Sequence, residues 1–272
     1  MRILFIGDVV GRSGRAIVQE RLPGLVRDWK LDLVLINGEN AAGGFGITET
    51  IFNEFIDAGA DAVTLGNHSW DQREALVFIE RAPRLIRPIN YPKGTPGRGS
   101  AMIEAKNGAR VLAVNALGRI FHDPLDDPFA AIERELAACA LGTAADAIVI
   151  DMHAETTSEK QTMGHFVDGR VSLVVGTHTH APTADHQILP HGTGFISDLG
   201  MTGDYNSVIG MVKDEPLGRF LRRIPTSKFE AATGPATLCG VAAETDDRTG
   251  LTVKIGAVRL GARLEEARPA FW

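Results

Sequence analysis

Five apolar, strand-like segments of this chain each deliver an oxygen or imidazole side chain at their end. No other feature constrains the fold as strongly. RILFIGD ends at Asp8, LVLINGEN at Glu39 and Asn40, AVTLGNH at Asn67 and His68, AIVIDMH at His153, and VSLVVGTHTH at His178 and His180. A hydrophobic core has no use for polar strand ends, whereas ligand sites in open α/β sheets form at the carboxyl edge. Residues i and i+2 on extended backbone point to the same side, so His178 and His180 are expected to face one point in space.

Helical periodicity separates these strands. Ile17, Val18, Leu22, Leu25 and Val26 mark a helix around 14–29, Thr48 reads as the N-cap of a second, and a third is expected over 71–82. Strand and helix in alternation imply parallel strands with right-handed crossovers. Beyond the loop YPKGTPGRG the strands shorten, and SAMIEA and RVLAVNA flank Asn107-Gly108, a strong hairpin signal. Helices at 128–141 and 158–166 and strands at 146–152 and 171–175 resume the alternation. At the end, TLCGVAAETD and GLTVKIGAVRL read as an antiparallel pair. No repeat, low-complexity tract or linker interrupts the chain. The expected architecture is one mixed α/β domain over residues 1–272, with two sheets packed together and helices outside.

Composition narrows the function classes. A formal net charge of −6 over 272 residues argues against broad nucleic-acid or membrane electrostatics, although RNA stays open as a partner. Cys139 and Cys239 are the only cysteines and form no CxxC, so reduced thiols and a cytoplasmic location are expected. The N-terminal run ILFI is too short for a secretion signal and is followed by Asp8. No stretch approaches the ~20 apolar residues of a membrane span.

Imidazole nitrogen and carboxylate oxygen together suit divalent metals of intermediate softness. Two such ions ~3.5–4 Å apart can share a bridging carboxylate and a bridging hydroxide. The expected ligands are Asp8, Glu39 and His180 with Asn40 nearby for one ion, and Glu39, Asn67, His153 and His178 for the other. His68, beside a ligand, is left free as a catalytic acid or charge stabiliser.

Simpler readings compete. Asp8 alone would read as a helix cap, and Asn67 as a turn residue. Phe45 could stack on a base, yet a loop aromatic more often anchors its own loop. His122, in GRIFHDPLDDP, lies in a loop that could rim a pocket, but it, His165, His186 and His191 lack matching strand-end positions and read as structural or surface residues. Arg12 and Arg15 read as surface arginines. GDVVGRSG follows a strand as a dinucleotide loop would, but its spacing is not GxGxxG and Asp8 would face the pyrophosphate.

GD at Asp8, GNH at 66–68, His153 after its strand and GTHTH ending at His180 resemble the calcineurin-like metallophosphoesterase signature. More narrowly, IGDVVGRSGR, NGENAAGGFGIT, LGNHSWD and SDLGMTG resemble the bacterial YmdB-like branch along nearly the whole chain. The resemblance implies a four-layer α/β/β/α sandwich. It also implies hydrolysis of cyclic phosphodiesters, including 2′,3′-cyclic nucleotides, and a link to the regulation of bacterial multicellular behaviour. Two departures from the wider superfamily stand out. Asp8 is followed by Val9 and Val10 where most members carry Asp-x-His, and NGEN replaces GDxxD. Asn40 is therefore expected to substitute at the first metal, and iron, manganese and zinc all fit the donor set. The expected function is a dinuclear phosphodiesterase acting through a metal-bridging hydroxide on a small cyclic nucleotide or other phosphodiester. A phosphomonoesterase or nucleotidase with the same metals is the alternative enzyme. A non-catalytic, metal-containing regulatory module that binds RNA or protein is the alternative from another class. No membrane partner is expected, and a homo-oligomer is left open.

Overall fold

A computed structural model describes residues 1–272 and arranges them around two six-stranded mixed sheets. In the first, β1 (Arg2–Ile6), β2 (Leu33–Asn37), β3 (Ala62–Thr64) and β4 (Leu85–Ile86) run parallel. The second contains β5 (Ser100–Glu104), β6 (Arg110–Leu117), β7 (Ala147–His153), β8 (Leu173–Thr177), β9 (Gln187–Ile188) and β10 (Gly194–Ile196), with β6, β7, β8 and β10 parallel. β11 (Thr237–Thr245) returns antiparallel beside β1, and β12 (Thr252–Gly261) pairs antiparallel with β11. The hairpin β5–β6 turns at Asn107-Gly108, where Gly108 takes a φ of 84°.

Side-chain alternation along the strands builds the layers. Ile3 and Phe5 of β1, Leu33 and Leu35 of β2, and Ala147 and Val149 of β7 meet in the core between the sheets. Their neighbours Leu4, Ile6, Val34 and Ile36 pack outward against α1 (Gly11–Asp28) and α2 (Glu49–Asp57). Ile148 and Ile150 pack on the other side, with Ile132 and Leu136 of α4 (Pro128–Ala138) and Met163 of α5 (Thr157–Phe166). The result is the expected α/β/β/α sandwich. Thr48 caps α2 by accepting from the Ile51 amide at 3.2 Å.

Three local expectations need correction. The helix expected over 71–82 shrinks to α3 (Ala75–Phe78) and a single 3₁₀ turn, Ile79–Arg81. The residues ahead of it are committed elsewhere: Ser69 Oγ donates to the Gly66 carbonyl, His68 pairs with Asp71, and Gln72 donates to the Phe45 carbonyl. Such side-chain bonds compete with helical ones. α1 begins at Gly11 rather than 14 and has Val10 at its cap position with no side-chain bond, so Asp8 does not cap it. A sixth helix, α6 (Asp214–Arg222), was not expected at all. No helix is long and apolar enough to cross a membrane.

Candidate metal centre

On the facing surfaces of the two sheets, the last inward positions before the carboxyl edge change from apolar to polar. Asn37, Thr64, Asp151 and Thr177 occupy them, all buried. Asp151 accepts from Asn37 Nδ2 at 3.0 Å, Thr64 Oγ1 at 2.5 Å and Thr177 Oγ1 at 2.6 Å, which ties the two sheets together across the core. Burial pushes its carboxyl up from the ordinary range, against the pull of His153 and these hydroxyls. Thr177 Oγ1 in turn lies 2.8 Å from His153 Nδ1. With the Nδ1 proton assigned to that bond, Nε2 faces the opening, the arrangement by which an outer partner orients a ligand imidazole.

Three donor atoms crowd around that nitrogen. Asn67 Oδ1 is 2.9 Å from it, His178 Nδ1 3.1 Å and Glu39 Oε1 3.2 Å. The ligand atoms of Glu39, His153 and His178 all lie within 4.8 Å of one another. With its proton at Nδ1, Nε2 has none to offer the Asn67 and Glu39 oxygens, but a cation ~2.0–2.2 Å from each atom would use all of them. Burial opposes charge on His153, yet Glu39, Asp8 and Asp151 raise its pKa to about 9. That negative potential favours any cation placed there. Glu39 is buried too, which alone would raise its pKa, but the adjacent His153 holds it well below the carboxylate range. Burial drives His178 the other way, down to about 2, with His153 adding to the effect. Gly66 makes this approach sterically accessible: a Cβ there would collide with both Glu39 Oε2 and His153 Nε2.

A second group lies alongside. His180 Nε2 is 3.3 Å from Asn40 Oδ1 and 3.9 Å from Asp8 Oδ1, while its Nδ1 is held 2.7 Å from the Ile209 carbonyl. Asp8 accepts from the His178 amide at 3.2 Å and 3.3 Å to its two oxygens. Burial raises Asp8 to about 6 despite the imidazoles nearby.

His178 and His180 reach these places by a route the strand periodicity does not describe. β8 stops at Thr177, and both histidines have positive φ, 98° and 65°. They serve different halves of the cluster rather than one point. Such backbone is strained by about 1–3 kcal/mol per residue and persists only where the surroundings over-determine it. Asp198 of SDLGMTG does so: it accepts from the Thr179 amide at 3.1 Å and the Thr179 hydroxyl at 2.7 Å, and pairs with buried Lys160 at 2.7 Å. The same segment holds the loop that follows β1, since the Thr202 amide donates to the Asp8 carbonyl at 2.8 Å. The motif is thus a brace for the ligand turns.

The cluster opens into a cavity of about 410 Å³ shared by Glu39, Asn40, His68, His178 and His180. His68 Nδ1 sits 2.8 Å from Asp71 Oδ2, and its ring meets the edge of Phe45 at 5.1 Å. Arg219, Phe220 and Arg223 of the α6 segment, with Phe229, complete the far wall. Arg12 lines a separate, larger groove of about 950 Å³ that contains no imidazole, and Arg15 pairs with Glu54 at 3.2 Å.

His122 belongs beside the centre, contrary to its reading as a structural or surface residue. Its ring is 4.5 Å from that of His178, and its buried Nε2 has no hydrogen-bond partner. The available signal was its place in the loop that follows β6 at the same sheet edge. His165, His186 and His191 are not among the residues of the cluster or its cavity.

Comparison with known proteins extends over nearly the whole length. A family model described as YmdB-like protein matches residues 4–258. The 2′,3′-cyclic-nucleotide 2′-phosphodiesterase of Bacillus subtilis (strain 168) is 49% identical over 255 residues, covering 94% of this chain and 95% of the relative. A crystal structure of a hypothetical protein from Thermus thermophilus superposes with a TM-score of 0.90 at 42% identity, covering 97% of this chain and 100% of that one. A novel phosphatase from Mycoplasma pneumoniae gives a TM-score of 0.88 at 33% identity, covering 100% and 95%.

Proposed function

The chain belongs to the YmdB-like protein family, and from that premise we propose that it is a metal-dependent phosphodiesterase that opens cyclic phosphodiesters such as 2′,3′-cyclic nucleotides. The observation that carries this reading is the convergence of Glu39, His153 and His178 donor atoms at one end of a cavity that His68 also lines. The activity named for the Bacillus subtilis relative supports the substrate class.

Asn67, His153 and His178 would hold one ion, Asp8, Asn40 and His180 a second, with Glu39 shared; iron or manganese suits both positions and zinc is the alternative. Bound there, divalent ions supply Lewis acidity toward the phosphoryl oxygens and lower the pKa of water enough for nucleophilic attack near neutral pH. The chain's own groups do the rest. Asp71 fixes His68 through Nδ1, which leaves Nε2 as the atom that gives a proton to the departing 2′ oxygen. The P–O2′ bond then breaks and a 3′-phosphomonoester leaves. The free, buried thiols Cys139 and Cys239 support a cytoplasmic setting.

A phosphomonoesterase is the second reading, favoured by Arg219 and Arg223 on the cavity wall, where a dianion would find positive charge. Glu215, 2.7 Å from Arg219, offsets one of the two. Comparing kcat/KM for 2′,3′-cyclic AMP, 3′,5′-cyclic AMP and AMP on one metal-stripped, then reconstituted preparation decides between them. The 2′,3′-cyclic ester is expected to lead. A preference for AMP would replace the diesterase with the monoesterase, and no turnover of any ester with metal bound would remove the enzyme reading.

A further inference from the structure

The far wall of the cavity has no part in the proposed chemistry, yet it is built with care. The Arg219 guanidinium lies over the Phe229 ring, 4.0 Å from its centroid. It is fixed there by Glu215 at 2.7 Å and by the Ser227 carbonyl at 2.9 Å. Glu215 also accepts from the amides and hydroxyls of Thr226 and Ser227, tying the start of α6 to the strap that leads into Phe229. Phe220 follows on the next position of α6 and lines the cavity while 74% exposed. Glu39 is the only carboxylate among the lining residues. The space therefore has one end lined by a carboxylate and imidazoles and another lined by Phe220, Phe229 and two arginines. Its volume of about 410 Å³ falls within the ~300–1,000 Å³ of small-molecule sites.

We propose that Phe220 and the Val208–Met211 turn form a base-stacking subsite, so that the substrate is a nucleoside cyclic phosphate rather than a base-free diester. The inference rests on the phosphodiesterase reading and adds the recognition element to it. Val208, Ile209, Met211, Pro216, Phe220 and Phe229 offer side chains without hydrogen-bonding groups, which cannot read the edge of a base. Recognition by faces is tolerant of base identity and scales with overlap. Purines are therefore preferred over pyrimidines.

The test compares kcat/KM for 2′,3′-cyclic AMP with that for glycerol 1,2-cyclic phosphate, which keeps the strained diester and lacks the base. The metal-reconstituted wild type should favour the nucleotide. Phe220→Ala should lower the ratio of the two about 5- to 150-fold, chiefly through KM for the nucleotide, the range that loss of one base–aromatic stack produces. Phe220→Tyr should restore the ratio, because the aromatic face returns. A base-free diester turned over as well as the nucleotide would overturn the subsite while leaving the phosphodiesterase intact. Equal losses on both substrates in Phe220→Ala would overturn it too, as the mark of a merely structural role. A wild type that hydrolyses neither substrate would overturn the phosphodiesterase and the subsite together.

Discussion

At the carboxylate and imidazole end of the cavity, Asp8, Glu39 and His153 are at most 1% exposed, and partners from both sheets position them. At the other end, Phe220 is 74% exposed on a helix that one carboxylate, Glu215, ties down. The two ends face different demands. Ligand atoms must sit within a few tenths of an ångström of their places, which needs a rigid scaffold. A stacking face tolerates displacement in its own plane, so a locally stapled helix suffices. Damage at the first end should therefore abolish turnover, and damage at the second should redistribute it among substrates.

The sharpest break in that contrast would come from Glu39→Gln. It is expected to empty both metal positions and remove activity, with elemental analysis falling from about two ions per chain toward none. Gly66→Ala should behave alike, because its methyl group would collide with Glu39 and His153. Metal retained at full occupancy in Glu39→Gln would dissolve the shared-carboxylate arrangement. His68→Ala comes next: kcat should fall about 10²–10⁴-fold while both ions stay bound. Proportional loss of metal and rate would instead make His68 a ligand.

Asp198→Ala probes the scaffold behind the carboxylate and imidazole end. It strands buried Lys160 and frees the turn carrying His178 and His180. Removing one partner of a buried ion pair costs about 3–5 kcal/mol, readable by urea unfolding. The double change Lys160→Met with Asp198→Asn should recover part of that loss. A penalty below about 1 kcal/mol for Asp198→Ala would mean the brace is dispensable, since that is the scale of an exposed pair.

Glu215→Gln should have the smallest effect. A rise in KM for 2′,3′-cyclic AMP of about 2- to 12-fold, exceeding any change in kcat, corresponds to one weakened hydrogen-bond set. The bonds from Thr226, then Arg219, hold Glu215 at about 2, below its ordinary value of 4.5. A depressed carboxyl pKa stabilises the folded state above pH 4.5, and that contribution is lost as pH falls toward 2. The difference in thermal stability between wild type and Glu215→Gln should shrink over that interval. A constant difference down to pH 2 would show that the charge on Glu215 does not hold the wall.

How much of this was legible beforehand follows from where each residue sits. Asp8, Glu39, Asn67 and His153 were readable because an apolar run breaks into a polar residue, and a buried parallel strand makes that break conspicuous. Asp151 was not singled out, although it lies in the same run as His153. Its role depends on Asn37, Thr64 and Thr177 arriving from three other strands. The α6 wall was missed for a related reason, and His122 was placed no nearer than a loop that could rim a pocket. Loop and surface segments carry no period that says which cavity they will border.

By itself the sequence determined the alternation of strand and helix, the polar residues at the strand ends, and hence the edge at which chemistry would collect. Those are local properties, set by side-chain periodicity and by the cost of burying polar groups without partners. Tertiary structure alone decided that His178 and His180 reach their separate halves of the cluster through left-handed backbone, and that Asp198 braces the turn. It also decided that arginines and aromatics distant in sequence close the cavity. These depend on long-range contacts between strands and loops, and a left-handed turn at a histidine leaves no mark in its neighbours because the energy that holds it comes from another part of the fold.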